Sequence, residues 1–241
     1  MKASLMITCL GDALYPRVGV SAVKVLEALG VEVDFPPGQV CCGQPAFNSG
    51  YRDEARTAAR AYLKAFAASA HVVSISGSCA AMVRRHYPVL FEGRPEEAEA
   101  RALAARTYEF SQFLTDVLGV TELPVRHKAR VTFHHSCHTR RHLGVVEQPE
   151  RLLAMVEGLD YVPLPRAEEC CGFGGTFAVK MPEISSSLVD DKVEHVLETG
   201  ADELIGLDMS CLMNIGGRLS RRGSGVRVRH LAEVLAEGWG R

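Results

Sequence analysis

The sequence predicts an α/β protein made of two tandem, homologous units with mainly parallel sheets, related by a pseudo-twofold, over residues 1–122 and 123–241. Three observations lead there. The cysteines repeat: Cys9, Cys41, Cys42 and Cys79 are answered by Cys137, Cys170, Cys171 and Cys211 at offsets of 128, 129, 129 and 132 residues. The flanking segments repeat too, "SLMITC" matching "RVTFHHSC" and "HVVSISGSC" matching "ADELIGLDMSC", as they should if each half is one folding unit. Within each half, short β-branched runs alternate with helical stripes, the pattern of strands joined by helices into a parallel sheet.

The elements follow in order. "SLMITC" reads as a first strand. Val18, Ala22, Val25 and Leu29 form one helical stripe, which Gly30 is placed to end. "VEVDF" and "HVVSIS" are strand-like runs. Between them Tyr51, Ala55, Ala59, Tyr62 and Phe66 make an apolar helix face. "VTELPVRHKA", residues 120–129, has a proline, mixed charge and no apolar period, and marks the join. The second unit repeats the scheme. Pro149 stands at a first helical position, Leu152 and Val156 recur at i and i+4, Gly158 closes the segment, and a further helix runs from Pro182 through Leu188, Val189, Val196 and Leu197. The expected units are Rossmann-like, with helices on both faces of each sheet.

Composition narrows the functional classes. With 47% hydrophobic and 23% charged residues the chain is an ordinary globular one. A formal charge of −2 gives no field for nucleic acid or an anionic membrane, so neither is an expected partner. The one basic cluster, Arg218, Arg221, Arg222, Arg227 and Arg229, reads as a solvated loop. Apolar runs fall short of a membrane span. "MKASLMITCLGDALYP" is read as a strand rather than an export signal, which gives a cytoplasmic, reducing compartment where clustered cysteines serve metal or redox chemistry more often than structural disulfides. Glycines 172, 174 and 175 do not complete a dinucleotide fingerprint, and there is no serine-hydrolase elbow.

The cysteines carry the chemistry. Cys9, Cys79, Cys137 and Cys211 fall at the C-terminal ends of predicted strands, and both Cys-Cys-Gly motifs fall in loops after a second strand. That edge is where open α/β sheets build their sites, so all four thiols of a half can converge. Gly43 and Gly172 free the backbone beside each vicinal pair, and are expected to help seat a cofactor. Zinc takes four thiolates but favours pairs spaced by two to four residues, whereas the gaps here are 32 and 37 positions around a zero-gap pair. An iron–sulfur cluster accepts ligands from several loops. Iron–sulfur, zinc and inert buried thiols remain the readings, with a thiol–disulfide sensor as a further class. Around Cys137 stand His134, His135 and His138, followed by Arg140 and Arg141. His135, His138 and Arg141 are candidates for handling a substrate's proton and carboxylate, against a role in hydrogen-bonding cluster sulfurs.

Taken together, "CCGQPAFNSGY", "SGSCAAMVRRHYP", "SCHTRRHLGV", "CCGFGGTFAVKMPEIS" and "DMSCLM" resemble the cysteine-rich domain found in heterodisulfide reductase and in the iron–sulfur subunit of glycolate oxidase. Over about residues 4–237 the chain is most similar to the lactate utilization protein A family. The resemblance implies an iron–sulfur oxidoreductase subunit taking part in oxidation of L-lactate to pyruvate. It implies two partner proteins, one with further iron–sulfur motifs. A glycolate oxidase or heterodisulfide-reductase-like complex is the alternative, and a zinc-stabilised interaction protein is the alternative from another class. One departure bears on the cofactor. The heterodisulfide reductase domain has a further cysteine three residues before the last, where this chain has Ser76 and Asp208. Each half then offers four thiolates, and up to two ordinary [4Fe–4S] clusters are expected. Ser76 and Asp208 are read as caps, with oxygen ligation as the other option.

Overall fold

A computed structural model describes residues 1–239. Two four-stranded sheets, parallel throughout, lie one in each half. The first is ordered β2-β1-β3-β4, from β1 (Lys2–Met6), β2 (Glu32–Asp34), β3 (Val72–Ser74) and β4 (Thr107–Glu109). The second, from β5 (Arg130–His134), β6 (Asp160–Tyr161), β7 (Glu203–Gly206) and β8 (Arg227–His230), is ordered β6-β5-β7-β8. Register repeats with order: Met6 pairs with Ser74, and their counterparts His134 and Gly206 pair likewise. The inner strands are buried along nearly their whole length, as parallel strands covered on both faces must be.

The helices follow the apolar stripes. Helix Pro16–Ala28 starts on a proline and buries Val18, Ala22, Val25 and Leu26, and Gly30 follows it with φ 78°. Helix Arg52–Ala65 buries Ala55, Ala59, Tyr62 and Leu63. In the second unit, helix Glu147–Ala154 starts two residues before the expected Pro149. The first turn tolerates proline there, because its N–H groups have no helical acceptor anyway. Helix Pro182–Glu198 packs on helix Met209–Arg221. The first unit differs after Cys79. Its chain bends through Tyr87–Leu90 and Glu97–Ala105, where the second unit runs one continuous helix, and the detour brings Tyr87 and Phe91 into a separate apolar cluster with Tyr62 and Phe66.

The twofold shows in exchanged contacts. Helix Leu231–Leu235, at the end of the second unit, packs on Pro16–Ala28 of the first, and helix Phe110–Gln112 of the first packs on Glu147–Ala154 of the second. One apolar core therefore crosses the junction, with Leu5, Val73 and Phe110 in the same cluster as Phe133, Ile205 and Leu231. The join contributes Val120, Leu123 and Val125 to that core, so the linking segment is itself anchored. Among the described residues, no helix is long and apolar enough to cross a membrane.

Candidate metal centre

Cys9, Cys79, Cys137 and Cys211 each stand a few residues past the end of an inner strand. Cys9 opens helix Cys9–Leu14 directly after β1, and Thr8 caps that helix by accepting from Gly11 N–H at 3.2 Å. Thr8 does so at φ 70°, a costly conformation for a β-branched residue, stored beside a candidate ligand. Cys79 sits in helix Gly77–Ala81 behind its cap Ser76, and Cys211 in helix Met209–Arg221 behind its cap Asp208. The Cys-Cys-Gly loops follow β2 and β6. All eight cysteines are free thiols.

Within each set the thiols influence one another in a chain. Cys41 is in hydrogen-bonding reach of Cys42 and Cys9, and Cys42 also of Cys79. Cys170 likewise reaches Cys137 and Cys171, and Cys171 reaches Cys211. Hydrogen bonds from these neighbours, joined by the N–H of Gly43 or Gly172, hold the Cys41 and Cys170 thiols far below their usual range. The same contacts, with burial, push Cys9, Cys42, Cys137 and Cys171 up. One thiolate per set is thus stable on its own, while Cys9 and Cys42 in the first set and Cys137, Cys171 and Cys211 in the second resist ionisation. Four thiolates brought together there would need a cation among them.

A second layer fixes the loops. Gly43 and Gly172 both adopt positive φ, 84° and 81°, and Gly172 N–H donates to Cys170 Sγ at 3.3 Å. A Cβ on Gly172 would lie 2.5 Å from the Ser185 carbonyl oxygen, and one on Gly43 would lie 3.1 Å from that of Ala55. The carbonyl of each second cysteine is held by a different residue type: Tyr87 Oη donates to Cys42 O at 2.9 Å, and Asn214 Nδ2 to Cys171 O at 2.8 Å. The cysteine spacing reveals neither anchor, because the repeat does not match Tyr87 with Asn214. An amide or phenol within a turn or two after the last cysteine of each set is the signal the sequence holds.

All eight cysteines line one cavity, because the twofold turns both sheet edges toward it. It encloses about 110 Å3, room on the order of several waters and more than a single metal ion fills. Ile75, Pro45, Phe173 and Met209 supply apolar wall. The donor chemistry and the space would suit an iron–sulfur cluster. Ser76 and Asp208 are engaged otherwise: Asp208 accepts from Ser78 N–H at 2.9 Å and from the Ser76 hydroxyl at 3.1 Å across the junction, besides capping its own helix.

Of the candidate catalytic residues, His138 lines the cavity with Nδ1 3.5 Å from Cys137 Sγ. His135 instead meets Glu150 at 3.0 Å, and Arg141 donates to the Glu168 carbonyl at 3.0 Å. His134 is buried beside Cys171 and Cys211, where desolvation pushes its imidazole down to about 3.

Comparison with known proteins agrees with this arrangement. A cysteine-rich domain model of the CCG family matches residues 4–84 and again 131–216, one match to each unit. Lactate utilization protein A of Geobacillus kaustophilus (strain HTA426) is 56% identical over 236 residues, covering 98% of both chains. Lactate utilization protein A 2 of Bacillus cereus (strain 03BB102) is 53% identical over 239 residues, covering 99% of both. A hypothetical protein from Helicobacter pylori shares the fold with a TM-score of 0.69 at 10% identity; all of this chain aligns with 49% of that one. The paired Cys-Cys-Gly sets, the matching sheets and the full-length similarity lead to one conclusion: the chain belongs to the lactate utilization protein A family, with a CCG cysteine-rich domain in each half.

Proposed function

We propose that this chain is an iron–sulfur subunit in the oxidation of L-lactate to pyruvate, relaying electrons within a multi-protein complex. The observation that carries the reading is the single cavity lined by all eight thiols, four from each unit. The names of its relatives supply the substrate. When bound, iron–sulfur clusters would provide one-electron transfer. The chain's own residues do the rest. Cys41 and Cys170 present ready thiolates, Tyr87 and Asn214 hold the neighbouring carbonyls, and the Ser76–Asp208 contact keeps the two sets at fixed separation. His138 is a titratable side chain at the cavity wall, placed to move a proton there.

Removing two electrons from a secondary alcohol calls for a hydride or two-electron carrier. We assign that carrier to the complex and a relay to this chain, which acts with two partner proteins. Docking near the cavity is supported by the surface there. Asn48 and Gly175 line the cavity, the adjoining segments are tied by Ser49 and Thr176 at 2.8 Å, and Tyr51, Val179 and Met181 beside them are exposed. To test the reading, clusters are reconstituted anaerobically and L-lactate-dependent reduction of an artificial acceptor is assayed with the chain alone, the partners alone and all together. Turnover only in the full mixture is expected. Turnover by the isolated, flavin-free chain would overthrow the relay.

A further inference from the structure

His134 ends β5, is 1% exposed, and has no hydrogen-bond partner on either ring nitrogen among the described residues. An imidazole in any protonation state carries at least one N–H, and buried N–H groups without acceptors are rare in native proteins. The neighbours with accepting chemistry are sulfurs. A ring nitrogen of His134 and the Sγ atoms of Cys171 and Cys211 all lie within 4.8 Å of one another.

The first unit breaks the symmetry at this point. Its equivalent of His134, 128 residues earlier at the end of β1, is Met6, which is buried in an apolar cluster with Cys42 and has no proton to donate. Near that set the unpartnered buried hydroxyl belongs to Tyr62, carried on a different element, helix Arg52–Ala65. The two cysteine sets, alike in their thiols, thus sit in different polar surroundings.

We infer that His134 donates a ring N–H to the sulfurs of the second cysteine set and thereby raises the reduction potential of the cluster held there. Coordinating iron through the ring would leave its remaining N–H as the buried orphan, whereas donation leaves only a lone pair, the more tolerable group to bury unpaired. Reduction adds negative charge to the cluster and its thiolates. An N–H aimed at sulfur stabilises that form more than the oxidised one, so the potential rises. Chains of one sequence then carry two clusters of unequal potential, which gives a relay a direction. His134 is a positioning and tuning residue here, and the inference rests on the iron–sulfur reading above.

The test uses full-length chain reconstituted anaerobically with iron and sulfide, as wild type, His134→Met and His134→Gln. Iron and sulfide are quantified first, then potentials are read by titration followed by electron paramagnetic resonance. Proton couplings are compared in H2O and D2O. His134→Met should keep its iron, lower one of two potentials and lose an exchangeable-proton coupling present in the wild type. His134→Gln, which retains an N–H donor, should recover part of the shift. Unmoved potentials at full iron content, or a nitrogen coupling of the directly bonded kind in the wild type, would overturn the inference. Should the Met variant fail to fold, the absence of the exchangeable coupling in wild type does the same. Wild-type protein that takes up no iron sinks the iron–sulfur reading itself, and this inference with it.

Discussion

Ser76 donates its hydroxyl proton to Asp208 Oδ2 at 3.1 Å, and the two residues hold the same place in the two repeats, three positions ahead of Cys79 and Cys211. Repeat-equivalent residues can meet only near the twofold axis. Asp208 there caps its own helix and also takes Ser78 N–H of the other unit. Asp208→Ala removes a cap and takes the carboxylate acceptor from the half-buried Ser78 N–H and the buried Ser76 hydroxyl, which should cost on the order of 2–4 kcal/mol and lower the thermal midpoint by about 5–15 °C. Asp208→Asn keeps an acceptor and should be milder. Both variants should bind iron to the wild-type level when folded; loss of iron from folded Asp208→Asn would make the residue a ligand instead.

The vicinal cysteines give separable losses. Cys41→Ser and Cys171→Ser each remove one thiolate from a different set, and each should lower bound iron and sulfide by about one cluster's worth. Unchanged content in both variants would contradict the assignment of ligands.

The two hinge glycines should not respond equally. A methyl group at either meets positive φ, but at Gly172 it also falls 2.5 Å from a backbone oxygen, against 3.1 Å at Gly43. Chemical denaturation should give Gly172→Ala a loss of about 2–4 kcal/mol and Gly43→Ala about 1–2 kcal/mol. A reversed order would show that the loops at the two sets relax differently from the geometry described.

Glu109, fully buried at the end of β4, has its carboxyl raised to about 7 by burial, despite hydrogen bonds from Ser111 and Gln112 that favour the anion. The folded state therefore holds a proton that the unfolded chain releases near its ordinary carboxylate range. Unfolding sheds that proton, so stability is highest below the unfolded value and falls as pH rises toward 7, by at most about 3 kcal/mol. Glu109→Gln keeps a capping oxygen and should flatten this part of the stability–pH curve. A wild-type curve flat between about pH 4.5 and 7, or an unchanged slope in the variant, would contradict the assignment.

Much of this was legible because the repeat is carried by cysteine spacing and by strands buried on both faces. The Val18–Leu29 stripe became helix Pro16–Ala28 and the Ala55–Tyr62 face became helix Arg52–Ala65, with Tyr51 left exposed just ahead of it, and the strand-end positions of Cys9, Cys79, Cys137 and Cys211 placed the thiols at the sheet edges. Meeting of the two sets in one cavity was not legible, since it depends on how the twofold docks the units, and no local period encodes that. His135 illustrates the same limit. It neighbours Cys137 in sequence, but alternation along β5 sends it toward Glu150 while His134 faces the thiols. The bend after Cys79 was equally hidden, because it is the packing of Tyr87 and Phe91 with Tyr62 and Phe66 that gives this stretch its place in the first unit's core.

Anaerobic purification followed by iron, sulfide and zinc quantitation, with the absorption spectrum, tests the central claim most directly. The account predicts brown protein with broad absorption near about 400 nm and up to about eight iron and eight sulfide per chain, in two sets of four. Colourless protein holding zinc, or holding no metal while its eight thiols titrate freely, would contradict it.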